Sequence, residues 1–191
     1  MSSKGFRERI LEIDQDGPAL TNSTVQTSLL PAAFKTAAVP LGYFDTPQKR
    51  ICFEFSGRIS TVVTTPGTLD LSIKIGSVLA FISLGMALNI VAKTNVHWDI
   101  SGELVGRGYG GGATTTLFPK GVVFRSEAVI GAPLPTAGGS GLLLLPFNTA
   151  PAVGTGFDNG VAQLIDILGT WSIANAANSI MVQAGHIDLY T

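Results

Sequence analysis

His97 and His186 are the only histidines of the chain and Cys52 is its only cysteine, so a metal centre would have to be assembled from residues far apart in sequence. Zinc takes three or four ligands, usually with some of them a few residues apart, and neither histidine has a second ligand at such spacing. No metal site is expected, and a lone cysteine forms no intramolecular disulfide. Asp99 with Glu103, and Asp70 with Asp188, are the carboxylate pairs to weigh for glycosidase-like acid–base work. That chemistry needs carboxyl groups roughly 5 to 9.5 Å apart. Nothing in the sequence sets either separation, and a solvated strand face accounts for them.

Gly106, Gly108 and Gly111 echo a dinucleotide-binding loop, but that fingerprint must open a helix within a βαβ unit, and Ala113 to Phe118 lacks a helix start. Asp158-Asn159-Gly160 offers oxygens to calcium without the further acidic positions of a calcium loop, so it reads as a turn. No GxSxG elbow, P-loop or HExxH motif occurs. The expectation is a chain with no catalytic residue, no cofactor-binding residue and no metal ligand.

The elements that would carry these residues are strands. From Thr68 to Ile75, Leu69, Leu71, Ile73 and Ile75 alternate with Thr68, Asp70, Ser72 and Lys74, a period of two that predicts a half-buried strand with Ser72 in solvent. Pro66-Gly67 before it predicts a turn that lets Arg58 to Val63 lie alongside as a hairpin. Ile51, Phe53 and Phe55 alternate with Cys52, Glu54 and Ser56 in a strand bent at Gly57, which places Cys52 opposite the phenylalanines. In Asn95 to Ile100, Val96, Trp98 and Ile100 form the inward set, with Trp98 in the core and His97 outward. Thr21–Leu30, Val78–Ile82, Ala87–Val91, Val122–Ile130, Leu142–Leu145, Val161–Ile173 and Ser179–Tyr190 also read as strands; 106–112, 131–141 and 148–160 read as loops. Phe6 to Ile13 reads as a short amphipathic helix within an N-terminal arm, residues 1–20. Residues 21–191 then form one all-β domain, a β-sandwich and most specifically a jelly roll, with Trp98 and the 69–75 row in one core.

Composition narrows the function. Charged residues are 13% of the 191 positions, about half of the roughly 25% usual in a soluble domain, so much of the surface is expected to be covered by other subunits. A net charge of −1 excludes the basic stripe of a nucleic-acid binder. The charge-free span Ile75 to Ala92 is interrupted by Gly76, Ser77, Ser83, Gly85 and Asn89, and reads as two buried strands turning near Gly85 rather than a membrane helix. The N-terminus lacks the apolar core of a secretion signal. All twelve Lys and Arg lie at or before Arg125, and residues 126–191 carry only Glu127, Asp158, Asp166 and Asp188 as charged groups. Within that third, Leu142, Leu143, Leu144 and Leu145 are apolar on both sides of a strand, as an internal strand or one covered by a neighbouring subunit would be. These four leucines are the candidate subunit interface of a homo-oligomer.

Several phrases resemble a family of tailed-bacteriophage virion proteins: TNSTVQTSLLP (Thr21 to Pro31), GRISTVVTTPGTLDLSIKIG (Gly57 to Gly76), TNVHWDISGELVGRG (Thr94 to Gly108), FRSEAVIGAP (Phe124 to Pro133) and GFDNGVAQLIDILGTWSIANAANSIMVQ (Gly156 to Gln183). The resemblance carries no catalytic signature. It implies a structural, non-enzymatic component of the virion, a capsid decoration or cement protein on the capsid surface, trimeric, with the major capsid protein as partner. A tail, fibre or baseplate component with a carbohydrate-binding or receptor-binding β-sandwich is the alternative, and it would expose aromatic side chains.

Overall fold

The structure, a computed structural model, describes residues 6–46, 49–108, 112–132, 140–146, 149–152 and 154–191. Parts of the expected loops 106–112, 131–141 and 148–160, with Gly111, lie outside the described residues. Among the described residues fourteen strands follow in chain order: β1 (Arg7–Ile13), β2 (Leu20–Thr21), β3 (Thr27–Ser28), β4 (Ala38–Val39), β5 (Arg50–Thr61), β6 (Thr68–Ile75), β7 (Val78–Ile82), β8 (Met86–Leu88), β9 (Lys93–Gly106), β10 (Thr115–Ala132), β11 (Ser140–Leu145), β12 (Gly154–Phe157), β13 (Gln163–Trp171) and β14 (Ser179–Tyr190). The helical structure among the described residues is a single 3-10 turn, Ala32–Phe34.

Two antiparallel sheets pack face to face. One has the order β1-β14-β5-β9-β10 and the other β8-β6-β13-β3, with β7 beside β6 and β4 beside β13. The eighteen-residue β10 joins them: Leu117 to Ser126 pair with β9, and Ile130 and Ala132 pair with β8. β11 and β12 also pair with β10.

The expected hairpin around Pro66-Gly67 is not formed. β5 pairs with β9 and β14, whereas β6 pairs with β13, β7 and β8, so the turn carries the chain from one sheet to the other. Each strand buries one full face, and those faces meet across the core instead of lying side by side. The turn is held from outside: Asn178, itself buried, accepts from the Val62 N–H at 2.8 Å and donates to the Pro66 carbonyl at 2.9 Å. Gly67 takes the positive φ, 75°, that a Pro-Gly turn of type II uses, and Thr64 adds a second at 72° that such a turn alone would not require.

β5 runs unbroken through Gly57, where a Cβ would lie 2.0 Å from the Met181 carbonyl oxygen; the glycine there permits close approach to β14. Phe6 to Ile13 is not a helix, because Arg7–Ile13 pairs with β14 as an edge strand. Its sequence, RERILEI, fits either period over seven residues, and a free strand edge decides the outcome. The span Thr21–Leu30 contributes only the short β3 and the end of β2, while β8 stops at Leu88 and leaves Ile90 and Val91 exposed.

Leu69, Leu71, Ile73 and Ile75 are buried in one cluster with Trp98, Phe53, Phe55 and Phe124. Trp98 stacks on Phe124 with ring centroids 6.0 Å apart and donates its indole N–H to the carbonyls of Arg58 and Met181. Burial of side chains this size is worth about 1.5–3 kcal/mol each, which is what holds the two sheets together.

Candidate functional site

The outer face of the β1-β14-β5-β9-β10 sheet gathers both histidines, the cysteine and many of the charged side chains. Strand register arranges its outward side chains in rows. One row runs Arg9, Asp188, Cys52, Glu103, Lys120. The next runs Glu12, His186, Glu54, Ser101, Val123, Leu144, and a third runs Ser56, Asp99, Arg125, Leu142.

Several of the charges in these rows pair with one another, although Glu103 Oε2 is buried without a hydrogen bond among the described residues. Arg125 pairs with Asp99, and its guanidinium also donates to Ser101 Oγ at 3.2 Å. Glu103 lies 3.7 Å from both Arg50 and Lys120. Asp188, with its side chain 2% exposed, is held by Arg7 at 2.6 Å and Arg9 at 3.0 Å. Burial alone would raise its pKa, but the arginine hydrogen bonds and charges outweigh that and hold the carboxyl below the ordinary range. Burial, reinforced by the carboxylate of Glu103, pushes the Cys52 thiol up and disfavours a reactive thiolate.

This placement fixes the relative positions of the residues weighed from sequence. His97 faces Arg58 and His186 faces Glu54, four residues apart along β5 or ~13 Å, so the histidines share a face but no ligand position. Among the described residues, no three His, Cys, Asp or Glu side chains are grouped to hold a metal. Asp99 and Glu103 sit four residues apart on the same face of β9, roughly 13 Å along the strand, each with its own cations, and Asp70 and Asp188 belong to different sheets. Asp158-Asn159-Gly160 is a turn: Asp158 Oδ1 accepts from the Gly160 N–H at 2.8 Å, and Asn159 Oδ1 accepts from the Phe44 N–H.

Asp70, on the other sheet, likewise carries a carboxylate oxygen outside any hydrogen bond. Its Oδ1 is buried with no hydrogen-bond partner among the described residues, and burial raises its pKa. A raised folded pKa means that the ionised carboxylate opposes folding above that pKa, and that the cost disappears as pH falls toward the unfolded value near 3.8. Asp70→Asn is therefore expected to stabilise the protein at pH 7 by about 1 kcal/mol, ~2–4 °C in melting temperature, and to change nothing at pH 3. Thermal melts of both proteins at the two pH values check it; an Asn variant that melts lower at pH 7 would mean that the carboxylate has a stabilising partner.

The four leucines of β11 divide. Leu143 and Leu145 point inward and are buried in the core, while Leu142 and Leu144 are 58% and 63% exposed. Leu144 stands beside Val123 and Leu142 beside Arg125, so the second and third rows end in an apolar margin. As a contact surface, the run reduces to Leu142 and Leu144. The sequence reading missed two further apolar features. Val63, Ile90 and Val91 are each more than half exposed at one end of the sandwich, where the Thr64 N–H bonds the Ile90 carbonyl at 2.8 Å. Leu79, Phe81, Leu84, Pro119 and Pro146 line a cavity of about 220 Å³ without a charged side chain. The signal for the first was present in the charge-free loops 62–67 and 89–92, but reading Ala87–Val91 as a strand hid it.

No family model, curated protein or solved structure matches the chain. Its surface must then be interpreted from geometry: paired charges on one sheet, exposed aliphatic side chains at its margin and at one end. No helix among the described residues is long and apolar enough to cross a membrane.

Proposed function

We propose that the protein is a structural component of a tailed-bacteriophage virion, a capsid decoration or cement protein that acts as a homo-oligomer on the capsid surface with the major capsid protein as its partner. The observation that carries the reading is the pair Leu142 and Leu144, exposed on the last third of a chain that has no Lys or Arg beyond Arg125. Aliphatic surface at the margin of a sheet favours burial against another subunit. The trimer and the capsid location come from the family resemblance of the sequence phrases.

The strand order supports a jelly roll. With β1, β3, β5, β6, β8, β9, β13 and β14 taken as its eight strands in turn, the first pairs with the eighth, the second with the seventh, the third with the sixth and the fourth with the fifth. That is the order of a rolled antiparallel ribbon, with β10 to β12 inserted between its sixth and seventh strands. Trp98 and Trp171 are 0% and 1% exposed, so neither offers the aromatic platform expected of the carbohydrate-binding alternative.

Immunogold labelling of intact particles, together with native mass spectrometry of the purified protein, tests the reading. Gold on heads and a closed oligomer are expected. Gold on tails would favour the tail or baseplate role, and unlabelled particles with a monomeric protein would overturn the proposal.

A further inference from the structure

The cavity beside β7 has no part in the reading above. Phe81, Ile82 and Leu84 reach it from β7 and the turn after it, Pro119 from β10, Pro146 from the end of β11 and Ala152 from the segment before β12. Among the described residues its lining has no charged side chain, and Thr149 supplies the one side-chain hydroxyl. Each proline lacks a backbone N–H, which leaves fewer donors for a guest to pair with. A charged guest would give up its hydration here for no partner, so this lining selects by size and by absence of charge. A cavity of roughly 150 Å³ lined by Leu, Ile and Phe stays dry and binds benzene. At about 220 Å³, this one has room for a single ring or a fused pair.

The walls are set before any guest arrives. β7 is held by its ladder to β6, from Ile75 opposite Val78 to Ser72 opposite Ile82. Gly154 packs so closely on β7 that a Cβ there would lie 3.0 Å from the Leu79 carbonyl oxygen and 3.1 Å from the Ala80 Cα. Pro119 stands in the ladder between β9 and β10, opposite Leu104. Leu84 is the most constrained of the lining residues. Its φ of 59° lies in the left-handed region that leucine rarely takes, and it is 38% exposed. Ser83, fully buried, locks it there: its N–H donates to the Leu71 carbonyl at 2.8 Å, and its Oγ accepts from the Leu71 N–H at 2.8 Å and donates to the Leu84 carbonyl at 3.0 Å. Backbone strain that the surroundings hold in place is concentrated at ligand clamps and other functional sites, and here it sets an aliphatic side chain at the lip of an apolar cavity.

We propose that this cavity is a binding site for a small, uncharged, apolar ring compound, with Leu84 at its lip. The site is built within one chain and does not depend on the oligomer. A guest in it touches β7 of one sheet and β10, the strand that joins the two sheets, and adds to the hold between them.

Benzene and indole are the probes, and benzoate, the same ring as benzene with a carboxylate, is the charged control. Either probe at millimolar concentration should raise the melting temperature of the full chain saturably, as a ligand that binds only the folded state does. Methyl NMR spectra should show shifts centred on Leu79, Ile82 and Leu84. Benzoate should produce neither effect. Leu84→Glu sets a carboxylate at the lip and Ala152→Phe sets a ring of the protein's own beside the space, both at exposed positions. Each should weaken probe binding by about tenfold while the protein without probe still melts cooperatively. No saturable binding of either probe would overturn the proposal, as would shifts centred elsewhere on the protein. Benzoate binding as well as benzene would overturn the selection for an uncharged guest, and binding that both variants leave unchanged would overturn the placement.

Discussion

Leu143→Lys should prevent the sandwich from folding, whereas Leu144→Lys should leave it folded and weaken its self-association. The two positions are adjacent on β11 and chemically identical, so only their direction distinguishes them. Leu143 is 8% exposed and sits in the core cluster, while Leu144 is on the outer face beside Val123. An ammonium at position 143 would be buried with no acidic partner in that cluster, at a cost of several kcal/mol. A domain of this kind has only about 5–15 kcal/mol in hand. At position 144 the lysine chain reaches solvent, and the cost falls instead on an interface that must cover it. Thermal melts of the soluble fraction and native mass spectrometry separate the outcomes. A Leu144→Lys protein that assembles like the parent would remove β11 from the interface, and a well-folded Leu143→Lys protein would mean that β11 does not bury its inward leucines.

The sandwich was legible because strand alternation reports burial of one face directly: β5, β6 and the Asn95 to Ile100 part of β9 lie where the period of two places them, and Trp98 is in the core. Pairing partners were not legible. A Pro-Gly turn between two half-buried strands is compatible with a hairpin or with a crossing between sheets, and the choice depends on Asn178, more than a hundred residues away, which clamps both sides of that turn. The leucine run at 142–145 concealed its division for a different reason: four identical residues carry no alternation, and the register opposite Val122 to Arg125 assigns them to faces. β1 was misread because seven residues of mixed charge and aliphatic character fit a helix as well as a strand, and the deciding group, Asp188, lies near the far end of the chain. The polar rows of the outer face follow from register alone, so sequence reasoning had both histidines and Cys52 on strands without knowing that they share one surface.

Ser72 is the most instructive case, because its position in the alternation is right and its environment is not. It lies on the outer face of β6, yet it is 2% exposed, covered by the segment leading into β3, and its hydroxyl accepts from Gln26 Nε2 at 3.2 Å. A nearly silent Ser72→Ala substitution is therefore no longer expected. Ser72→Ala should cost about 0.5–1.5 kcal/mol, the net worth of one hydrogen bond with its donor left behind. Ile73→Ala should cost about 2–5 kcal/mol, because Ile73 is 1% exposed between Ile167 on β13 and Phe81 on β7 and its removal leaves a cavity that two flanking strands cannot close. Denaturant melts at constant m-value give both numbers. The Gln26→Ala protein supplies the decisive comparison: combined with Ser72→Ala, it should cost less than the sum of the two single changes, because the amide and hydroxyl share one bond. Strict additivity would mean that Gln26 shields Ser72 without bonding it, and an Ile73→Ala cost no larger than that of Ser72→Ala would place the core on the other face of β6.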